Sequence, residues 1–357
     1  MEAAKDTRYV DILLYGIAIQ AICAAALAVF PVVAVLAIKF QSASLFLPGG
    51  GTILDGHCPA IIPDKGHTDV QFPNRLHYTG VGLLDYLLCF PVAASGVQGF
   101  LAEPVTTQFT HYFFSSLLPI LSILAVEGLR PGVSKAASLP YFILFLSQFG
   151  SLGVILPVYW TLYIFGGNVD NRRNVSISDV GRNKALAASF GLIIGAVLPS
   201  LGMLHFKDPY TIATWLLYPI FVAILHYCTF KVLPASAGLK SAFPVIRSLY
   251  IGTFVFASST HIAAVWPKVP RLSWPEAFAP PALDPSYLSI STIPFLLQNC
   301  LKWDFFFAML SCVLASLWFA RNVKELLGFI LWYFLAIPVF GIGSAVMGVF
   351  IYDDAIL

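Results

Sequence analysis

The sequence predicts an all-α integral membrane protein, a polytopic bundle of eight or nine transmembrane helices that forms one domain over residues 1–357. Hydrophobic residues make up 58% of the chain and charged residues 11%, whereas a soluble domain carries about 25% charged residues. The mean hydropathy is +0.82, and several apolar runs exceed the roughly 18 residues that mark a membrane-spanning helix. The net charge of +2 is small and dispersed. It argues against nucleic acid as a partner and leaves the lipid bilayer as the expected surroundings.

Nine segments are long and apolar enough to be drawn as spans. The first is too long for the apolar core of a signal peptide, so we interpret it as a retained span. The fourth is long enough to tilt, or to kink at Pro157, because a bundle can satisfy the carbonyl that a proline frees. The predicted spans are 12–38, 81–101, 109–129, 137–165, 185–204, 210–230, 246–266, 301–320 and 326–351.

The orientation follows from the distribution of Lys and Arg in short connections, which favour the cytoplasm. Alternating the nine spans puts eleven of these residues on the side of the N-terminus and three on the other side. The sequence therefore predicts a cytoplasmic N-terminus in the endoplasmic reticulum membrane, and an unglycosylated sequon at Asn174. The eleven are Lys5, Arg8, Arg172, Arg173, Arg182, Lys184, Lys231, Lys240, Arg247, Arg321 and Lys324; the three are Arg130, Lys135 and Lys207.

Two long loops, 40–80 and 267–300, fall on the luminal side in this arrangement. Both are rich in proline or glycine and too long for simple connectors, so we expect lids or binding loops, with unstructured loops of no role as the alternative. The six cysteines lack a CxxC spacing, which gives no indication of a zinc or thioredoxin-like site. A luminal disulfide between Cys58 and Cys300 stays open.

Ionisable residues inside apolar spans are rare, because burying an ion in hydrocarbon is costly, and those that occur usually face the bundle interior. In the predicted topology five of them lie near the luminal ends of five different spans: Asp85, Glu127, Asp304, His205 and His261. This shared depth is the strongest constellation in the chain and predicts a functional pocket close to the luminal face.

Each of these residues has a simpler explanation. Asp85 can cap its helix, Glu127 can pair with Arg130, and Asp304 can mark the membrane surface beside Lys302. A histidine on an apolar helix is more often a hydrogen-bonded packing residue than a ligand. Gln148 can bond a neighbouring helix or a polar group of a substrate.

A carboxylic acid away from water resists ionisation and can serve as a general acid. The chain also offers 30 Phe, 15 Tyr and 7 Trp, and aromatic faces attract cations. Such a pocket suits protonation of an alkene or epoxide and shelter of the resulting carbocation. The sequence contains no HExxH, Walker, GxGxxG, GxSxG or DDxxD motif, so neither a metal nor a cofactor is predicted.

The stretch "LHYTGVGLLDYLLCF" at 76–90, after a long loop that follows the first span, resembles the fungal membrane-bound terpene cyclases of meroterpenoid pathways, the group associated with ascofuranone-type and macrophorin-type products. The resemblance rests on His77-Tyr78-Thr79-Gly80 followed by Leu84-Asp85, and on the many-span layout. It implies cyclisation of a lipophilic prenylated aromatic or quinone-like substrate, commonly one with a farnesyl chain. Some members are thought to open a terminal epoxide and others to protonate the terminal olefin.

Together these observations predict a metal-independent terpene cyclase. The predicted catalytic residues are Asp85, which matches the acidic position of the motif, with Glu127 and Asp304. Two alternatives stay open: a proton-coupled transporter of a hydrophobic metabolite, and a non-enzymatic membrane scaffold. The predicted substrate-binding residues are His77, Tyr78, His205, His261, Gln148 and Trp303.

Overall fold

The structure is a computed structural model that describes residues 25–43, 58, 77–96, 101, 104–234, 240–269, 278–280 and 293–356. These residues form helices and connecting segments without a β-strand, and the predicted all-α class is confirmed. The helices are α1 Ala25–Ala43, α2 Gly82–Ser95, α3 Pro104–Glu127, α4 Pro140–Gly150, α5 Leu152–Phe165, α6 Asn168–Asn174, α7 Arg182–Phe206, α8 Pro209–Leu216, α9 Tyr218–Val232, α10 Phe243–Val265, α11 Ile293–Leu317, α12 Val323–Phe340 and α13 Ile342–Ala355.

Within the described residues, six helices are long and apolar enough to cross a membrane: α1, α3, α7, α10, α11 and α12. The number rises to eight if two bent pairs, α5 with α6 (62°) and α8 with α9 (55°), each count as one span. A chain with this many apolar helices is a polytopic membrane protein. Helix α3 is the centre of the bundle, since 83% of its span is buried.

The predicted single span over 137–165 is wrong, because α4 and α5 form a hairpin. Tyr163 donates a hydrogen bond to Glu127 (2.5 Å), and Asn168 bonds Ser134 (2.9 Å), just before α4 begins. A continuous helix would separate residues 140 and 163 by about 35 Å at 1.5 Å per residue. The break lies at Ser151, whose φ of 68° interrupts the helical backbone, so the chain returns to the end that it left.

The predicted span over 326–351 is likewise two antiparallel helices, α12 and α13. They meet at Gly341, where φ is +85°, a left-handed value that favours glycine. The indole of Trp332 donates to the carbonyl of Ala345 (2.8 Å). Arg321, before α12, reaches Asp353 at the end of α13 (3.0 Å). Apolar composition is the same on both sides of Gly341, so hydropathy alone did not reveal the turn.

These hairpins define two ends of the bundle. The first, the Arg172 end, contains the last residues of α3, α11 and α13; the second, the Lys207 end, contains the α7–α8 connection and the last turn of α10. Glu127 lies at the Arg172 end, where it pairs with Arg172. His205 and His261 lie toward the Lys207 end. The predicted shared depth of the five ionisable groups is therefore wrong for Glu127, because the chain does not cross the bundle over the predicted span 81–101. Tyr78, before α2, packs against Tyr210, and Leu101, after α2, accepts a hydrogen bond from Lys207 (3.4 Å), so the chain is at the Lys207 end on both sides of α2.

Helix α2 is shorter than the predicted span 81–101. It covers 14 residues, Gly82–Ser95, or about 21 Å of helix against the ~30 Å of a hydrocarbon core. A disulfide joins Cys89 of α2 to Cys58, and Cys300 is a free thiol. The possible Cys58–Cys300 pairing is thereby corrected. Most of the loops 40–80 and 267–300, like Lys5 and Arg8, lies outside the described residues.

Candidate active site

A cavity of about 810 Å³ opens between α2, α3, α7 and α11 in the half of the bundle toward the Lys207 end. Its volume is in the range of small-molecule sites. Helix α2 contributes Leu87, Phe90 and Ala94 to one wall, and α3 contributes residues from His111 to Leu121. That stretch of α3 makes the cavity about 15 Å deep at 1.5 Å per residue.

Three backbone irregularities of the bundle all border this cavity. They are the break between α4 and α5 at Ser151, the π-helical turn Ile193–Val197 inside α7, and the bend between α8 and α9 at Leu217. Ser151, Ala196 and Tyr218 from these places line the cavity. Irregular backbone within a membrane bundle is tolerated where it is buried in protein or lines a cavity, and π-turns are frequent at functional sites.

Asp304 is the one carboxylic acid among the described residues that line the cavity. Three donors converge on its Oδ1 atom: the hydroxyl of Ser151 (2.6 Å), the amide of Gln41 (3.2 Å) and the backbone N–H of Gly153. They come from α1 and from the α4–α5 break, so the carboxyl group is held from two sides. Because α11 starts at Ile293 and not at 301, Asp304 is about halfway along its helix. The prediction that it lies near the start of the span is corrected.

Glycine at position 153 is required for this contact. A Cβ atom there would lie 2.7 Å from the carbonyl oxygen of Asp304 and 3.1 Å from both its Oδ1 and the Gln41 amide nitrogen. Real Cβ contacts of 2.7 Å essentially do not occur, so any larger residue must push α5 and α11 apart. The acid is thus positioned by close approach of two helices as well as by its hydrogen bonds.

The walls of the cavity are mainly aromatic and aliphatic. Trp215 stacks on Tyr218 with 6.1 Å between ring centroids, and it packs edge-on against Phe114 at 5.1 Å. The hydroxyl of Tyr218 has no hydrogen-bond partner among the described residues. The aromatic wall residues are Phe90, Phe113, Phe114, Phe149, Trp215, Tyr218 and Phe256, and the polar ones include Gln41, His111, Ser115, Ser147, Gln148, Ser151, Ser200, His205 and Thr260.

Of the residues predicted from the sequence, Asp304, Gln148 and His205 meet in this cavity. Sequence reasoning missed Gln41, Ser151 and His111. A hydroxyl and an amide within apolar runs carry little distinctive pattern. The position of His111 could have been found only with the correct number of crossings.

Asp85 lies outside the cavity wall and holds the turn that precedes α2. Its Oδ1 accepts hydrogen bonds from the N–H (2.7 Å) and the hydroxyl (2.8 Å) of Thr79. Burial alone would raise the pKa of Asp85, but these bonds and the nearby His77 outweigh it, so the pKa is lowered. The side chain is thus bound within this turn, and it does not line the cavity.

Two other predicted substrate contacts flank this turn. The ring of His77 is 3.7 Å from Asp85 Oδ2, and its side chain is 73% exposed. Tyr78 packs edge-on against Tyr210 at the start of α8, with 5.9 Å between ring centroids. Neither residue is among those that line the cavity.

Glu127 belongs to a buried ion network at the Arg172 end. It pairs with Arg130 (3.0 Å) and Arg172, while Arg172 also donates to Asp353 (2.6 Å) and Asp354 (2.9 Å). The network ties α3 and α6 to the end of α13. It is separate from the cavity, whose wall on α3 ends at Leu121.

His261 and Trp303 are packing residues in this structure. The Nε2 atom of His261 lies 3.1 Å from the carbonyl oxygen of Pro338. This carbonyl is one of the last of α12, which lack hydrogen-bond partners within their own helix. Trp303 stacks on Phe307 (5.7 Å) and contacts Phe40 of α1 (4.3 Å). Neither lines the cavity. Within the described part of the chain, no three His, Cys, Asp or Glu side chains are grouped as metal ligands.

A family model described as the CtvD domain matches residues 56–349, which is most of the sequence. The chain belongs to the CtvD family. Together with a curated terpene cyclase among the relatives of this chain, the match confirms the resemblance to the fungal membrane-bound terpene cyclases at the level of the family.

Two curated proteins resemble this CtvD-family chain. The terpene cyclase ascI of Acremonium egyptiacum is 25% identical over 160 residues, which cover 41% of each chain. The FAD-dependent monooxygenase verC1 of Penicillium polonicum is 23% identical over 198 residues, which cover 52% of this chain and 24% of verC1. The chain thus spans less than half the length of either relative. No solved structure matches.

Proposed function

We propose that this protein is a membrane-embedded terpene cyclase that protonates the terminal epoxide or olefin of a prenylated aromatic substrate, with Asp304 as the proton donor. The observation that carries the proposal is the geometry of Asp304: a carboxyl group held by three donors on the wall of an apolar, aromatic cavity of about 810 Å³. The name of the relative ascI, a terpene cyclase, supports the same reaction class.

The arrangement favours transfer of a proton from one defined atom. Ser151, Gln41 and Gly153 all donate to Oδ1, so a proton on Asp304 resides on Oδ2. That proton passes to the terminal olefin carbon or to the epoxide oxygen, and the carboxylate stays behind. The donors then stabilise the new charge on Asp304, which lowers the barrier to transfer.

The resulting carbocation is held by the aromatic wall. The faces of Phe113, Phe114, Trp215 and Tyr218 carry negative quadrupole density and attract a cation without reacting as strong bases. Ring closure moves the positive charge along the prenyl chain. Loss of a proton at the end restores a neutral product, so the overall reaction is an isomerisation.

Asp304 is preferred over the other two predicted catalytic acids. Asp85 accepts the hydrogen bonds of Thr79 in the turn before α2 and does not line the cavity, and Glu127 is paired with two arginines away from the cavity. A catalytic role for Asp85, taken from the family motif, stays a prediction that replacement by Asn tests.

The reaction is tested with the purified protein in detergent, incubated with farnesylated phenols that carry either a terminal epoxide or a terminal olefin. We expect a cyclised isomer of one of them, identified by mass spectrometry and NMR. Turnover in micelles needs no transmembrane gradient, so it excludes a transporter as the explanation, and a scaffold would give no product. Recovery of both substrates unchanged would contradict the proposal.

We further propose that the Arg172 end faces the cytoplasm and the Lys207 end the lumen of the endoplasmic reticulum. The Cys58–Cys89 disulfide is attached to α2 beside the Lys207 end, and disulfides persist in oxidising compartments. Helix α1 begins near Trp318 at the Arg172 end (Phe30, 5.4 Å) and ends near Trp303 (Phe40, 4.3 Å). This direction fits the predicted cytoplasmic N-terminus.

The distribution of cations agrees with this orientation. In the described chain four cations lie at or toward the Lys207 end, Lys39, Lys207, Lys268 and Lys302, and positive residues concentrate on the cytoplasmic side of membrane proteins. The described cations at or close to the Arg172 end are Arg130, Lys135, Arg172, Arg173, Arg182, Lys184, Lys231, Lys240, Arg247, Arg321 and Lys324.

Labelling of Ser178, which is exposed in the loop after α6, tests the orientation. In sealed microsomes with the cytoplasmic face outward, Ser178→Cys is expected to react with a membrane-impermeant maleimide without detergent. The unmodified protein, which has its own free cysteines, gives the background. Labelling only after detergent, or a glycan on Asn174, would reverse the proposed orientation.

A further inference from the structure

A second, smaller cavity lies beside the candidate active site at the Lys207 end. This groove has a volume of about 580 Å³, and it shares His111 and Thr260 with the main cavity. The two spaces are therefore neighbours along the wall formed by α3 and α10. The groove is lined by Pro104, Thr107, Gln108, His111, Tyr112, Lys207, Thr260, Ala263 and Ala264.

The chemistry of the groove differs from that of the main cavity. Lys207 supplies a positive charge, and no described lining residue carries a negative one. The carboxylate of Asp208 next to it accepts bonds from Thr211 and from the N–H of Tyr210 (3.0 Å), where it caps α8. The Gln108 amide and the His111 ring make no hydrogen bond within the described chain. These two side chains are available to a ligand. The ammonium group of Lys207 donates one hydrogen bond to the carbonyl of Leu101 (3.4 Å) and retains two further donors.

We propose that this groove binds the head of the substrate, an aromatic ring that carries an acidic group, and that Lys207 is the residue that selects it. The ammonium group of Lys207 pairs with a ring carboxylate, and Gln108 and His111 bond the ring hydroxyls. The prenyl chain passes His111 and Thr260 into the main cavity. This inference rests on the proposed function, because it assigns the two parts of that substrate to the two spaces.

The position of Asp304 fits such a binding mode. Phe305, the next residue, packs against Phe109 (6.0 Å), Tyr112 (5.6 Å) and Phe113 (5.5 Å). Asp304 is thus level with the part of α3 that borders the groove, while the main cavity extends deeper along α3 to Leu121. A chain anchored in the groove must fold back within the cavity to bring its terminus to Asp304, and this folding is what ring closure needs.

Binding of unreactive ligands tests the proposal separately from catalysis. The probes are a dihydroxybenzoic acid with a fully saturated C15 chain and its methyl ester, measured by equilibrium binding to protein in detergent. We expect Lys207→Gln to lower the binding affinity for the acid probe by about 10-fold or more, the factor for one charge-assisted hydrogen bond. The affinity for the methyl ester should change by less than about 2-fold, because the ester is uncharged and does not pair with the ammonium group of Lys207. Lys207→Arg should retain most of the affinity for the acid.

The ester also reports whether each variant is folded, because every folded variant binds it. The proposal would be overturned if Lys207→Gln lowered the affinity for both probes equally, or if it left the affinity for the acid unchanged. Asp304→Asn is expected to bind both probes as the unmodified protein does. If the protein prefers the acid probe in a way that depends on Lys207 but converts no prenylated substrate, the proposed role of the groove stands and the proposed cyclase function is rejected. If the protein converts a prenylated substrate but shows no such preference, the cyclase function stands and the proposed role of the groove is rejected.

Discussion

Replacement of Asp304 by Asn is expected to lower kcat/KM for cyclisation by at least about 100-fold, the lower range for loss of a general acid. Asn keeps the size of the side chain and can still accept the bonds from Ser151 and Gly153, but it has no proton to transfer to an alkene or epoxide. Product formation by purified variants, followed by mass spectrometry, measures the effect. Binding of a saturated substrate analogue should change little, which separates lost chemistry from lost folding.

Three further variants make this test specific. Asp85→Asn, outside the cavity, should retain activity within about 10-fold, an effect well short of losing a general acid. Gly153→Ala should displace Asp304 and lower kcat, whereas Gly252→Ala, where a Cβ meets nothing within 4 Å, should have no effect. Full activity of Asp304→Asn, or inactivity of Asp85→Asn with intact folding, would contradict the assignment.

Replacement of Arg172 by Met is expected to lower the free energy of unfolding by about 3–5 kcal/mol, the cost of leaving buried partner charges unpaired. Its guanidinium contacts Glu127, Asp353 and Asp354 and lies over the rings of Phe319 (4.9 Å) and Phe350 (4.6 Å). Without it, Arg130 and Arg321 face three carboxylates. Denaturant unfolding in micelles measures the change.

The partly exposed pair between Arg173 and Asp170 on the same helix provides the matched control. These side chains are 28% and 42% exposed, so Asp170→Asn should cost less than about 1 kcal/mol. Glu127→Gln should also destabilise the protein, while the folded fraction keeps its kcat, since the network lies apart from the cavity. A selective loss of kcat in folded Glu127→Gln would instead restore the predicted catalytic role of this residue.

The sequence identified Asp304 and Glu127 by the same reasoning, as carboxyl groups in apolar spans, yet the structure gives them different surroundings. Glu127 was placed near the luminal face because 81–101 was counted as a full crossing, whereas residues 78 and 101, on either side of α2, both lie at the Lys207 end. Hydropathy contains no mark of the turn at Ser151, whose φ of 68° depends on packing against α11. The miscounts of 81–101 and 137–165 cancel for the loops after α6 and leave Glu127 on the wrong side, so depth was the least predictable property of the site.

Composition by itself determined the class of the protein: too few charges for a water-facing surface require a bilayer, and aromatic residues with sparse acids suit proton-initiated chemistry of an apolar substrate. The motif around Asp85 led to the correct family. Only the tertiary structure decided which acid borders the cavity, because that depends on contacts between residues far apart in sequence. Gln41, Ser151 and Gly153 meet Asp304 from two other helices. No local pattern in an apolar run encodes such a meeting, since it arises from how the helices break and pack.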